Sequence, residues 1–237
     1  MADVVTGERE SVVVGTPQSE AATLRGSAIR KYAVEVIGTF FLVFTVATSV
    51  LINSTYTPLA AGAVLMVMVY AGGHISGGHY NPAVTMAALL RRRIGLADAV
   101  AYWIAQFAAG VVAALVARAV VNPAAVTTLQ PSGQALAATA VVELLFTFAL
   151  CYVVLNVATS KNQLGNSFFG LAIGFTVVAG AFAVGGISGG AFNPAVSLGA
   201  ATAGLFAWST LWVYIVVQAV AGAAAGLAFL ALNPDDK

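Results

Sequence analysis

Charge is what this chain has least of. Only 8% of its residues are Asp, Glu, Lys or Arg, against about 25% in a soluble globular domain. A formal net charge of +1 gives no field that would gather nucleic acid or an acidic partner. Cysteine occurs once, as Cys151 in an apolar run. A single cysteine excludes an internal disulfide framework, and Cys151 reads as a small buried apolar group. Histidine occurs twice, as His74 and His79, without neighbouring Cys or carboxylates. That pair makes a poor metal site. No nucleophile–base pair or cofactor motif stands out, so an enzyme is not expected.

What is abundant is apolar surface. Hydrophobic residues make up 60% of the chain, and the mean hydropathy is +0.93. Six stretches are long and apolar enough to suggest membrane spans: roughly Tyr32–Ile52, Leu59–Ala71, Ala99–Val121, Leu136–Ala158, Phe168–Val184 and Trp208–Leu232. The second and fifth are short and run directly into Gly-rich sequence. Residues 1–27 are polar, hold Pro17 and mixed charges, and show no apolar periodicity. They read as a disordered tail and lack the apolar stretch of a cleavable signal peptide. Residues 28–237 read as one membrane domain.

Within that domain the sequence repeats. Asn81-Pro82-Ala83 and Asn193-Pro194-Ala195 lie 112 residues apart, inside near-copies: GGHISGGHYNPAVTMAALL from Gly72 and VGGISGGAFNPAVSLGAAT from Val184. Asn is a good helix cap, and Pro suits the first helical position. Each copy therefore reads as a loop entering a short helix whose N-terminus presents free N–H groups and positive dipole charge. Glu35 and Glu143 stand in the first and fourth spans, and Gln106 and Gln218 in the third and sixth. The repeats run about 32–121 and 136–232. Each holds three spans and one half-helix, and an odd number of spans inverts the second half. The half-helices then enter from opposite faces and meet near the midplane, with a polar pathway between them.

The charges that are present fall on one side. Arg25, Arg30, Lys31, Arg91, Arg92, Arg93 and Lys161 share the side of the N-terminus, whereas the opposite loops at about 53–58, 122–135 and 185–192 hold no Lys or Arg. The positive-inside rule then makes both termini, and the tail, cytoplasmic. Arg118, near the far end of the third span, is expected to snorkel toward headgroups.

From about residue 30 onward the chain resembles the major intrinsic protein family, the aquaporins and glycerol facilitators. The resemblance rests on YAVEVIGTFFLVF at Tyr32, HISGGHYNPAVT at His74 and SGGAFNPAVSLG at Ser188. It implies an all-α membrane fold of six tilted helices and two re-entrant half-helices around a pore, usually as a homotetramer in the lipid bilayer. Asn81, Pro82, Ala83, Asn193, Pro194 and Ala195 would then form the central constriction. The asparagine amides would offer N–H₂ donors to a passing solute, and the positive helix ends would repel cations. Backbone carbonyls at about Gly73–Gly77 and Gly185–Gly189 would supply an acceptor ladder. The resemblance makes Glu35 and Glu143 structural acids that bind the irregular loops, although intramembrane acids are functional suspects by default. Gln106 and Gln218 are expected to bond backbone across helix contacts. His79 is expected to pack the loop, and His74 to line or gate the pore on the cytoplasmic side.

One departure from the family pattern stands out. Water-selective members carry an Arg directly after the second Asn-Pro-Ala; with an aromatic and a His it forms a narrow outer filter. Here that position is Val196, and counting along the same segments puts Ala61, Ala181 and Gly190 at the other three. Glycerol facilitators also keep the Arg and usually follow it with Asp; here Ser197 follows. A Val at this place recurs in some plant vacuolar-membrane members that resemble broad channels for water, urea and ammonia. The wall near Trp212 looks more aquaporin-like than glycerol-like. The expected function is a passive channel for water and small uncharged solutes, in a plasma membrane, without cofactor, metal or nucleic-acid partner. The alternatives are a proton- or ion-coupled transporter using Glu35 and Glu143, and a non-conducting junction protein.

Overall fold

A computed structural model describes residues 17–123 and 125–236, and among them every regular segment of length is helical. The helices run α1 (Pro17–Leu51), α2 (Thr57–Ser76), α3 (Pro82–Leu90), α4 (Leu96–Val121), α5 (Gly133–Thr159), α6 (Phe169–Ser188), α7 (Pro194–Thr202) and α8 (Trp208–Leu232). Six of them are long and apolar enough to cross a membrane; α3 and α7 are the nine-residue half-helices. Residues 17–27, expected as disordered tail, belong to α1, and residues 1–16 lie outside the described residues.

The second and fifth spans are longer than the sequence suggested, at 20 residues each. Glycine weakens a helix, but Gly72 and Gly73 stay helical here. A Cβ on Gly72 would meet the Tyr80 hydroxyl at 2.2 Å. That glycine makes room for a ring folded back from the loop; it does not end the helix. The stop comes later. Gly77 at φ 88° and Gly189 at φ 86° take the left-handed cap conformation, and their N–H groups donate to the carbonyls of Gly73 and Gly185.

Asn81 and Asn193 have extended backbones, and each side-chain oxygen accepts from the N–H two residues on, at 2.8 and 2.9 Å. Such caps are each worth about 1 kcal/mol. Each half-helix lies against a long helix of the opposite half at a point where no side chain intervenes. A Cβ on Gly222 of α8 would stand 2.3 Å from the Ala83 carbonyl, and one on Gly110 of α4 would stand 2.8 Å from the Ala195 carbonyl. Gly62 of α2 and Gly174 of α6 likewise cross backbone on backbone. Lipid tails give no hydrophobic drive for helices to associate, so close backbone approach through small residues carries the packing. The outward faces are apolar, with Ile104, Phe175 and Leu227 exposed. Trp212 is exposed on the same outward surface at 64%. The expectation that it borders the pore is therefore corrected: its position in α8 points it away from the half-helices.

The face that carries the C-terminus is tied by Asp236. Its Oδ1 accepts from Arg91 at 2.6 Å and from Arg93 at 3.4 Å, and its Oδ2 accepts from the Lys161 N–H at 2.8 Å. The Arg91 guanidinium also lies 4.3 Å from the Phe229 ring centroid. Partial desolvation raises the Asp236 carboxyl, but the Lys161 N–H, the Ser160 hydroxyl and Arg91 outweigh it and hold it below the usual carboxylate range.

Two tests follow from this packing. Gly222→Val should cost roughly 1–3 kcal/mol through overpacking and lower the melting temperature of the purified protein; unchanged melting would exclude the close contact with Ala83. Asp236 has a depressed pKa in the folded state, so its stabilisation is complete above the unfolded value of about 3.9. It is lost as pH falls through the lower folded value. The melting temperatures of wild type and Asp236→Asn should therefore differ at neutral pH and converge in strong acid. Curves that stay parallel across that range would remove the carboxylate from this role.

Candidate functional site

Both loops that lead into the half-helices contain backbone that no helix or sheet can satisfy. Each is held by one buried carboxylate. Glu35 Oε1 accepts from the Ser76 hydroxyl at 2.8 Å and the His79 N–H at 2.9 Å. Its Oε2 accepts from the Tyr80 N–H at 2.7 Å and Gln106 Nε2 at 2.9 Å. Glu143 repeats the pattern with Ser188 at 2.7 Å, the Ala191 N–H at 3.0 Å, the Phe192 N–H at 2.8 Å and Gln218 at 2.8 Å. Gln106 and Gln218 thus bond the carboxylates first, and reach Thr85 and Ser197 of the half-helices at 3.0 Å each. Two tyrosines complete the arrangement. Tyr102 donates to the Ser76 carbonyl at 2.7 Å and Tyr214 to the Ser188 carbonyl at 2.8 Å. Sequence reasoning missed Tyr102, Tyr214, Ser76 and Ser188, although each pair stands 112 residues apart, the spacing of the asparagines.

The two loops meet through the asparagines. Asn81 Nδ2 donates to the Phe192 carbonyl and Asn193 Nδ2 to the Tyr80 carbonyl, both at 2.9 Å. An Asn amide carries two N–H donors. One of each pair is spent across the repeat, and the other has no protein partner among the described residues; the expectation of two free donors is corrected accordingly. Of the expected acceptor ladder, Gly185, Gly186 and Gly189 border the lumen, and Gly73–Gly77 do not. The carbonyls of Gly73 and Gly185 close their helices, and those of Ser76 and Ser188 receive the tyrosines. The backbone that lines the lumen is that of Gly78 and His79 after the first cap, and of Gly185, Gly186, Gly189, Gly190 and Ala191 around the second.

Asn81 and Asn193 line a cavity of about 560 Å³ that extends to the loop at residues 53–58. Ala61, Ala181, Gly190 and Val196 all line it as well. The four counted filter positions are thus brought to one lumen. Pro82, Ala83, Pro194 and Ala195 are buried behind the asparagines and face helix contacts. A second cavity of about 450 Å³ opens on the opposite side, bordered by Lys31, Arg93, Asp98 and Tyr102.

The histidine roles are exchanged. His74 is exposed in the last turn of α2 and borders neither of these two cavities. A helical turn separates it from the loop that bends inward. His79 lines both cavities, and its Nδ1 lies 3.0 Å from the Thr85 hydroxyl. Arg118 is corrected too. Its Nη1 donates to the Ala203 carbonyl at 2.6 Å, which places a cation at the C-terminal end of α7, where the helix dipole favours it.

Comparison with known proteins agrees with this geometry. The family described as Major intrinsic protein matches residues 22–229. Nodulin-26 of Glycine max is 35% identical, over 94% of this chain and 89% of its own. The glycerol uptake facilitator protein-like 6 of Lactiplantibacillus plantarum is 39% identical, over 88% of this chain and 100% of its own. The X-ray structure of the aquaglyceroporin from Plasmodium falciparum superposes with a TM-score of 0.72 at 22% identity, covering 85% of this chain and 95% of that one. The chain belongs to the major intrinsic protein family. It is an integral membrane channel for passive transport and not an enzyme.

The carboxylate geometry makes a graded prediction. Glu143→Leu leaves four donors without an acceptor, at roughly 1–3 kcal/mol each, and should abolish recovery of folded protein. Glu143→Gln keeps the shape but turns an N–H₂ group toward two of the donors. It should lower the melting temperature measurably and less severely. Wild-type melting for the Leu variant would show that the loop does not depend on this acid.

Proposed function

We propose that this channel conducts water together with uncharged solutes of the size of glycerol, urea or ammonia, as a homotetramer in the plasma membrane with both termini cytoplasmic. The observation that carries the reading is the outer part of the lumen. The four positions that surround it are Ala61, Ala181, Gly190 and Val196, and none brings a charge, a hydrogen-bonding side chain or much bulk. An Arg at the last position would hold a fixed charge and a rigid fork of five donors. The likeness to the Lactiplantibacillus plantarum glycerol uptake facilitator protein-like 6 supports a solute larger than water.

Ion exclusion in this reading rests on two sources. The N-termini of α3 and α7 present positive dipole ends beside the asparagines, and the apolar neck offers an ion no replacement for its water shell. The orientation follows from the basic residues on the face of the C-terminus. The apolar outward surface supports burial against lipid and sister subunits. The coupled-transporter reading is disfavoured by Glu35 and Glu143. Each oxygen already accepts two protein donors, and neither residue lines the lumen, so no carboxylate is left to carry a transported proton.

The test is stopped-flow light scattering on proteoliposomes under parallel water, glycerol and urea gradients. Wild type should pass all three. Val196→Arg should suppress glycerol and urea more than water, by on the order of tenfold in the ratio. A wild type that passes water alone, or a ratio unmoved by Val196→Arg, would reject the wide-filter reading. Uptake that requires a proton gradient would select the transporter instead.

A further inference from the structure

The glycine caps that end α2 and α6 share one backbone conformation but are backed by different residues. A Cβ on Gly77 would meet the His79 ring at 3.2 and 3.3 Å. A Cβ on Gly189 would meet the Phe206 ring at 2.6 Å and Leu129 at 3.5 Å. The tyrosine behind each cap follows the same exchange. Tyr102 packs edge-on against His79, 5.2 Å between centroids, and Tyr214 stacks on Phe206 at 4.7 Å. The first loop thus supplies its own filler. In the second loop the corresponding residue is Ala191, which has no ring, and the filler comes from beyond α7. The first-half counterpart of Phe206 is Ile94, which borders the second cavity instead.

Phe206 is held in place by a strap from the segment that joins the two halves. The Leu129 N–H donates to the Leu205 carbonyl at 2.8 Å, and its carbonyl accepts from the Ala207 N–H at 3.0 Å. The Thr128 hydroxyl donates to the Gly204 carbonyl at 2.8 Å. Phe206 is buried and borders neither of the two cavities, whereas Gly189, Gly190 and Ala191 line the lumen. At Gly190 the wall is main chain alone, with no rotamer to adjust. Its place is therefore set by what backs the loop, and a close-packed interior passes a displacement on. We infer that Phe206, braced by Leu129, takes for the second loop the place that His79 takes for the first, and is the positioning residue of the outer filter. It fixes residues 189–191 without touching solute. The inference deepens the wide-filter reading above and rests on it for the solutes that pass.

The experiment uses the full chain in proteoliposomes, with water and glycerol as probes, beside melting temperatures of the purified protein. Removing the ring lets the wall retreat from the lumen. Phe206→Ala should therefore raise the ratio of glycerol to water permeability by on the order of tenfold, and Leu129→Ala should raise it less. A ring introduced at Ala191 competes with Phe206 for one space, so Ala191→His alone should lower the melting temperature. Ala191→His combined with Phe206→Ala should melt higher than Ala191→His alone, a coupling that independent sites do not show. A ratio unmoved in both Phe206→Ala and Leu129→Ala overturns the positioning role and leaves the channel standing. Where Phe206→Ala yields no folded protein, the ratio in Leu129→Ala decides. A double variant that loses the sum of the two single losses overturns the exchange of fillers. A wild type that passes water alone overturns the wide-filter reading, and the positioning role then stands only if Phe206→Ala admits glycerol.

Discussion

Everything at the centre of this molecule depends on two carboxylates accepting hydrogen bonds from backbone that has no other partner. A membrane interior offers no water to an unpaired N–H, and each such group costs several kcal/mol. The loops before α3 and α7 nevertheless leave helical geometry at membrane depth. They do so because Glu35 and Glu143 each gather two consecutive loop N–H groups, a serine and a glutamine. The glutamines pass the constraint on to Thr85 and Ser197, one turn into the half-helices. The position of each asparagine is thus set from behind by an acid that never touches the lumen.

This arrangement separates the work of holding the pore from that of filtering it. The scaffold is nearly identical in the two halves, with the serines, asparagines, tyrosines and glutamines 112 residues apart and the two glutamates 108 apart. The lumen is not. His79 of the first half corresponds to Ala191 of the second, and Tyr80 to Phe192. Tyr80 is nonetheless part of the packing, since its hydroxyl donates to the Met68 carbonyl and its ring fills the space left by Gly38 and Gly72.

The sequence made much of this legible because caps and repeats act locally. Asn before Pro announced both half-helices, and the 112-residue offset exposed the inverted halves. The counted filter positions do converge on one lumen. What stayed hidden required knowledge of which side of a helix faces inward. Gly72 looked like a helix breaker because Tyr80, whose ring needs the space, lies beyond a turn. His74 and His79 differ by little more than one helical turn in sequence but fall on opposite sides of the Gly77 bend. Trp212 and Arg118 were misplaced for the same reason: a helix apolar on all sides gives no moment from which to read its rotation. Tyr102 and Tyr214 could have been found by asking which polar residues recur at the offset.

The crossed bonds between Asn81 and the Phe192 carbonyl, and between Asn193 and the Tyr80 carbonyl, have a bearing on biogenesis. A chain made from its N-terminus inserts the first half while the acceptor for Asn81 does not yet exist. The first half-helix must wait, with an amide unpaired at the bilayer midplane, until α6 and its loop arrive. The lumen is consequently the last part of the protein to form. A chain that holds only the first half lacks Val154, Ala181, Gly190 and Val196, so this lumen cannot be enclosed until the second half is in place.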